Sequence, residues 1–210
     1  MLFAVLLYQA GGFALQYLSE GNTVAIDPET EETVVVKIPI NLPYQTDWVS
    51  SEEVEGSVRQ GDEIVYIDRA YSERSGMQVV RAIGGRAPLH LTSVGKLFLA
   101  SDDPNQVRAY VTRTGLAGHT RNSITELGKL DAELNQVRKL GHARDNEELE
   151  LGVSCVAAEI YDDSGKLVAG LSISSPTDRI QADWLKLLQD TALQISKGMG
   201  YKPKISDPHS

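Results

Sequence analysis

Asp145 to Ser174 reads DNEELELGVSCVAAEIYDDSGKLVAGLSIS, and this stretch decides the fold. Val153 to Tyr161 and Lys166 to Ser174 have the apolar and β-branched content of strands. Asp162-Asp163-Ser164-Gly165 between them is a hairpin signal. Ser172 and Ser174 stand two apart on the second strand, so both hydroxyls face one side of the sheet. Cys155 lies on the partner strand. Asp145 follows the Gly141 helix stop, in a charged loop with Glu147, Glu148 and Glu150. Strands and loop together can aim Asp145, Cys155, Ser172 and Ser174 at one spot, which is the layout of a small-molecule pocket. A solvent-facing sheet explains the paired serines equally well, and the three glutamates read as a solvated loop.

Helices precede this hairpin. Ser93 to Leu99 reads as a short helix with Thr92 or Ser93 as its cap. Asp103-Pro104 starts a second, with Asp as N-cap and Pro at the first helical position, and Gly115 stops it. Ser123-Ile124-Thr125-Glu126 has the form of a capping box. Behind it Leu127, Leu130, Leu134, Val137 and Leu140 fall on one helical face, ended by Gly141. A final amphipathic helix spans Gln181 to Lys197, carrying Trp184, Leu187, Leu188, Thr191 and Ile195.

The first third reads differently. Residues 1–20 suggest a helix ending near Gly21, although Gly11 and Gly12 interrupt it. Thr23 to Ile26 and Thr33 to Ile40 read as strands about an Asp27-Pro28-Glu29-Thr30 turn. Pro39, Pro43 and the acidic run from Ser50 to Gly56 argue for a loop or short helix over 41–60. Glu63 to Arg69 is a strand after a Gly61-Asp62 turn, and Val79 to Ile83 is another, ended by Gly84-Gly85. Strands toward both ends with helices between them place the chain in the α+β class.

Composition narrows the function. The 210 residues hold 41% hydrophobic and 23% charged side chains, ordinary for a globular protein. A net charge of -9 disfavours direct contact with a phosphate backbone. One cysteine makes neither an internal disulfide nor a Cys-rich zinc site, and a reducing cytoplasmic setting fits it. Met1 to Leu7 is apolar but too short to span a bilayer, and no later segment approaches ~18 consecutive apolar residues. Cys155 as a nucleophile needs a base, and His90, His119, His142 and His209 have no diagnostic relation to it. No spacing among them suggests a metal site. The start of the Ser93 helix offers backbone N–H groups and about half a positive charge to a small carboxylate; simple capping by Thr92 or Ser93 is the plainer reading.

Gly84 to Ala100, GGRAPLHLTSVGKLFLA, resembles the GxRxPLHxTxxGKxxLA signature of IclR-type bacterial transcriptional regulators. The later pattern of Gly141 to Asp145, Glu147-Glu148, Gly152, Cys155, Ala157 and Gly165 to Ser174 resembles the same family's effector-binding domain. The resemblance is specific from about 61 to 200 and diffuse from 14 to 60. It implies a GAF/profilin-like curved antiparallel sheet flanked by helices, with a pocket on the concave side for small 2-oxo or hydroxy acids such as glyoxylate or pyruvate. By that resemblance the backbone amides of Ser93 and Val94 take the ligand carboxylate. Asp145, Cys155, Ser172 and Ser174 bond its other oxygens, and Met77, Val79 and Leu89 supply apolar walls.

The resemblance places an effector-binding domain over 23–202, after a helical segment read from the residues over 1–22 and before a tail over 203–210 whose prolines read as flexible. It implies a homodimer or tetramer, no cofactor and no enzymatic activity. DNA is reached only through a winged-helix domain, for which these residues show neither a recognition helix nor a basic face. Two other readings stand beside it. One is a dimerisation module without a ligand. The other is a Cys-dependent GAF-type enzyme, which would need a resolving cysteine that the chain lacks.

Overall fold

The computed structural model describes residues 15–18, 22–26, 33–35, 53–71, 83–181 and 183–203. Three short strands come first: β1 (Leu15–Leu18), β2 (Asn22–Ile26) and β3 (Thr33–Val35), an antiparallel sheet in that order. The helix expected over 1–20 is therefore corrected at 15–18. Leu15 pairs with Ala25 and Leu18 with Asn22, a hairpin ladder that satisfies backbone groups a glycine-interrupted helix holds poorly.

The remaining elements are β4 (Glu53–Gln60), β5 (Glu63–Tyr71), β6 (Arg86–Pro88), α1 (Ser93–Ser101), α2 (Pro104–Thr114), α3 (Leu127–Leu140), β7 (Ala143–Asn146), β8 (Val153–Tyr161), β9 (Leu167–Pro176) and α4 (Asp183–Gly198). The six later strands form one curled sheet in the order β6-β5-β4-β9-β8-β7, every neighbouring pair antiparallel. The α+β expectation holds.

Period-2 alternation splits the sheet into two faces. Val156, Ala158, Ile160, Val168 and Ile173 pack against Trp184, Leu188, Ala192 and Ile195 of α4. On the other face Ile64, Tyr66 and Ala157 meet Val94, Leu97 and Phe98 of α1, with Leu130, Leu134 and Val137 of α3 closing the same core.

Three local expectations are corrected. The acidic run before Gly56 is not a loop: from Glu53 it is the strand β4, paired with β5 on one side and β9 on the other. A ladder on both sides outweighs the poor strand propensity of Glu, Ser and Gly. Asp145 is not in a loop either but in β7, directly opposite Cys155. The Ser123 capping box does not form. The helix starts at Leu127 behind Glu126 with no side-chain cap, and the Ser123 hydroxyl instead accepts from the amides of His119 and Thr120 and donates to the Glu148 carbonyl at 2.7 Å. Asp103 does cap α2, with Gln106 completing its box, and Gly115 and Gly141 end α2 and α3 at φ 64° and 67°. Met77, Val79 and the strand expected at Val79 lie outside the described residues; Ile83 is an exposed turn residue.

Candidate functional site

The register of the sheet builds the site. Asp145 pairs with Cys155 and Cys155 with Ser174, one row across β7, β8 and β9. The next row in from it runs Ala157, Ser172, Glu55 across β8, β9 and β4. Residues two apart share a face, so the polar members of both rows collect on the side that α1 covers. All are buried: Glu55 1% exposed, Asp145 1%, Ser172 3% and Ser174 0%.

The N-terminus of α1 comes down on these rows because two glycines let it. A Cβ on Gly170 would lie 2.6 Å from Val94 Cγ1, and one on Gly95 would lie 2.2 Å from the Leu89 carbonyl oxygen. Thr92 caps the helix: its hydroxyl accepts from the Gly95 amide at 3.1 Å and donates to the Pro88 carbonyl at 3.3 Å. The first-turn amides of Ser93 and Val94 have no partner within the helix and carry its positive pole.

Between helix and sheet lies a cavity of about 10 Å³. Its polar walls are Glu55, Thr92, Ser93, Asp145, Cys155 and Ser172; Val94, Ile64 and Tyr66 complete it. That is about the room a single water needs, so a six-atom acid enters only as side chains part. Hydrogen bonds fix the sheet side. Ser174 Oγ donates to Glu55 Oε2 at 2.8 Å and lies 3.1 Å from Cys155 Sγ. Asp145 Oδ1 accepts from the Glu148 amide at 2.7 Å.

A buried ion pair braces the two halves. Lys96, fully buried one turn along α1, donates to Glu148 Oε1 at 2.6 Å, the Arg144 carbonyl at 2.8 Å and Glu133 Oε1 at 3.0 Å. Desolvation pushes the Glu148 carboxyl above its ordinary pKa, and the Lys96 charge pulls it back down. Glu147 beside it takes a left-handed φ of 60°, while Thr120 Oγ1 holds its carbonyl at 2.7 Å. The spacing between Asp145 and the α1 amides thus hangs on Lys96 and Glu148.

Of the residues expected from sequence, Ser93, Val94, Asp145, Cys155 and Ser172 share this cavity, and Ser174 joins it through Glu55 and Cys155. Leu89 does not line it. It is fully buried in the main core, its backbone pressed under Gly95. His90 is structural: its Nε2 hydrogen donates to the Ala117 carbonyl and its Nδ1 accepts from the Tyr110 hydroxyl at 2.6 Å. Burial holds it below the ordinary histidine pKa. Among the described residues no cluster of His, Cys, Asp or Glu suits a metal ion, and no helix is long and apolar enough to cross a membrane. A larger hollow of about 520 Å³ lies past the other end of α1, near Arg59, Asp102, Tyr161 and Lys166. Its Arg59 and Asp102 are paired with each other at 2.7 Å.

Residues 47–197 match the family described as "Bacterial transcriptional regulator IclR C-terminal". The chain belongs to the IclR family. The HTH-type transcriptional repressor AllR of Salmonella paratyphi A is 35% identical over 162 residues, 75% of this IclR-family chain and 59% of the relative. The chain thus spans about three fifths of the curated relatives it matches. The C-terminal domain of the E. coli transcriptional regulator KdgR has a TM-score of 0.63 at 36% identity, covering 71% of this chain and 88% of that one. The inducer-binding domain of the PobR transcription factor from Acinetobacter, a double mutant in complex with 3-hydroxybenzoic acid, has a TM-score of 0.63 at 28% identity, covering 69% and 87%. These relatives are transcriptional regulators, not enzymes.

Two of the residues lining the cavity of this IclR-family chain, Glu55 and Tyr66, escaped sequence reading. Glu55 was hidden in the acidic run, and Tyr66 looked like any strand aromatic. Their only signal was alternation along β4 and β5, which puts Glu55 opposite Val54 and Val58 in facing.

Proposed function

We propose that this chain is the effector-sensing domain of a bacterial transcriptional regulator and works without chemistry on its ligand. The effector is a small oxo- or hydroxy-carboxylate, of the size of glyoxylate or pyruvate. Its carboxylate lies on the Ser93 and Val94 amides at the positive pole of α1. Its other oxygens face Asp145, Cys155, Ser172 and Ser174. The observation that carries this reading is the meeting of a helix N-terminus with the buried Glu55, Asp145, Cys155 and Ser172 side chains across a small cavity. PobR, a family neighbour of like fold, is named with a bound hydroxybenzoic acid, which supports a ligand in such a domain. The regulator acts in the cytoplasm as a homodimer or tetramer, and DNA is bound by a winged-helix part outside these residues.

An acid of six heavy atoms gains at most about 9 kcal/mol at roughly 1.5 kcal/mol per atom. That ceiling lies just below 1 μM, and the dissociation constants expected are weaker than it, about 10 μM to 1 mM, suited to sensing a metabolite. The test is a thermal-shift screen of the purified chain against small carboxylic acids. A native-state ligand at 100 times its dissociation constant adds about 2.7 kcal/mol, a shift of a few degrees. A shift that vanishes in Asp145→Ala supports the reading. Absence of any shift in a cooperatively folded protein sinks it.

A further inference from the structure

Ser57 of β4 is fully buried, and its hydroxyl has no hydrogen-bond partner among the described residues. The other strand serines of the sheet, Ser154, Ser172, Ser174 and Ser175, each have one. We infer, building on the sensor reading above, that Ser57 is a further effector contact and that the effector carries an oxygen on its third carbon to meet it.

The register fixes where this hydroxyl points. Ser57 stands directly opposite Gly170 of β9 and, on its other side, opposite Tyr66 of β5. Directly paired residues project to the same face of a sheet. A Cβ on Gly170 would run into Val94, so this face is the one beneath the start of α1. Glu55, two residues back along β4, lies on it as well. Val94, Tyr66 and Glu55 all line the cavity, and Ser57 sits among them just behind its wall.

The cavity follows the order of the strands. Asp145 of β7 and Cys155 of β8 stand at one end, Ser172 and Glu55 in the middle, Ile64 and Tyr66 of β5 at the other. An acid with its carboxylate on the α1 amides and its second-carbon oxygen toward Asp145 extends its third carbon toward β5 and Ser57. Such an acid needs a wall to give. At the β7 to β9 end the walls are tied by hydrogen bonds, Ser174 to Glu55 and the Glu148 amide to Asp145. Over the row of Ser57 and Gly170 the wall is the apolar side chain of Val94, which only packing holds. A buried hydroxyl without a partner is costly, and one whose partner arrives with a ligand recovers that cost on binding. A hydroxyl both donates and accepts, so an alcohol or a second carboxylate on the third carbon suits Ser57, whereas a methyl leaves it unpaired.

Two pairs of acids isolate the third carbon: lactate with glycerate, and pyruvate with hydroxypyruvate. The members of each pair differ by one hydroxyl. Whatever the carboxylate and the second-carbon oxygen gain from the α1 amides, Ser93, Asp145 or Cys155 therefore cancels in their ratio. Isothermal titration calorimetry of the purified chain measures all four. Glycerate or hydroxypyruvate should bind about ten-fold more tightly than its partner, and in Ser57→Ala that ratio should fall to about one. Tyr66 brings a second hydroxyl to the same end, so Tyr66→Phe is titrated alongside. A ratio that falls there while Ser57→Ala keeps it assigns the contact to Tyr66 and overturns the inference. Urea unfolding without ligand gives an independent reading. Ser57→Ala removes a hydroxyl that bonds to nothing, so its midpoint should equal or exceed that of the native chain. A lower midpoint shows a hydroxyl already satisfied, by a trapped water, and overturns the inference. So does a ratio near one in the native chain, or a ratio that Ser57→Ala leaves unmoved. Each of these results leaves the sensor reading standing. Should the thermal screen find a different acid, that acid is titrated against Ser57→Ala, and equal affinity overturns the Ser57 contact. If no small acid binds at all, the Ser57 contact and the sensor reading fall together.

Discussion

Lys96 shows how one buried charge can hold a site in shape. Its ammonium is fully buried and meets two carboxylates and a carbonyl. Lys96→Met keeps the length of the side chain and removes the charge, leaving Glu148 buried without its cation. Breaking such a pair from one side costs about 3–5 kcal/mol. Urea unfolding should show that loss, and Lys96→Met with Glu148→Gln should lose less than the two changes summed. Full additivity would mean the pair is not coupled. His90 gives a second test at this scale. Burial is the main cause that lowers its pKa, helped by the charges of His119 and Lys96 and opposed by the Ala117 bond. A histidine lowered in the folded state contributes stability above its unfolded pKa of about 6.5, and that stability is lost as pH falls through the folded value. Unfolding free energy should therefore drop between about pH 7.5 and 5.5 more steeply in the native chain than in His90→Gln. Equal slopes would remove His90 from the account.

At the scale of elements, α1 is placed by what Gly170 lacks. A methyl there meets Val94 from below at 2.6 Å and must lift the helix start or bend the strand. Gly170→Ala should cost about 1–3 kcal/mol and weaken any bound acid, because it moves the Ser93 and Val94 amides away from Asp145. Calorimetry and urea unfolding on the same sample check both halves; unchanged affinity would show that α1 is not the carboxylate seat. The same elements mark what was legible in the sequence. The β8–β9 hairpin, α1 with its Thr92 cap, α2 with Asp103 and the end of α3 at Gly141 all rest on local signals, a turn, a cap or a left-handed glycine. Ser93, Cys155, Ser172 and Ser174 were readable because they lie on those elements, and Asp145 because it closely follows the Gly141 stop. β4 was not legible, since its reason to be a strand is a neighbour on each side, one of them, β9, over a hundred residues away. Glu55 went unread with it. Ser123 misled for the converse reason: its hydroxyl accepts from the His119 and Thr120 amides rather than from the start of its own helix, and donates to the Glu148 carbonyl.

For the whole molecule, the question is how a buried acid is felt at a distance. A ligand moves an equilibrium only by binding one state better than another. The cavity walls come from β4, β5, α1, β7, β8 and β9, so a ligand that parts them strains most of the six-stranded sheet at once. Leu151, 48% exposed, sits in the same β7–β8 connection as Glu148, and Leu140, 54% exposed, ends the helix before β7. A surface that joins two copies near these leucines would therefore register movement at Asp145. The chain should self-associate, and saturating effector should change its association constant, by about 5–150-fold if the coupling has the usual 1–3 kcal/mol. Sedimentation equilibrium with and without the acid measures that factor directly. Linkage then fixes a second number with no freedom left: the ratios of the acid's affinity for the associated form to its affinity for the separate chains, multiplied over the ligands bound per assembly, must equal that factor. Calorimetry at protein concentrations above and below the association midpoint supplies that number. If the acid binds but both factors are one, the domain holds a ligand without transmitting it through assembly, and any signal to DNA must travel within a single chain.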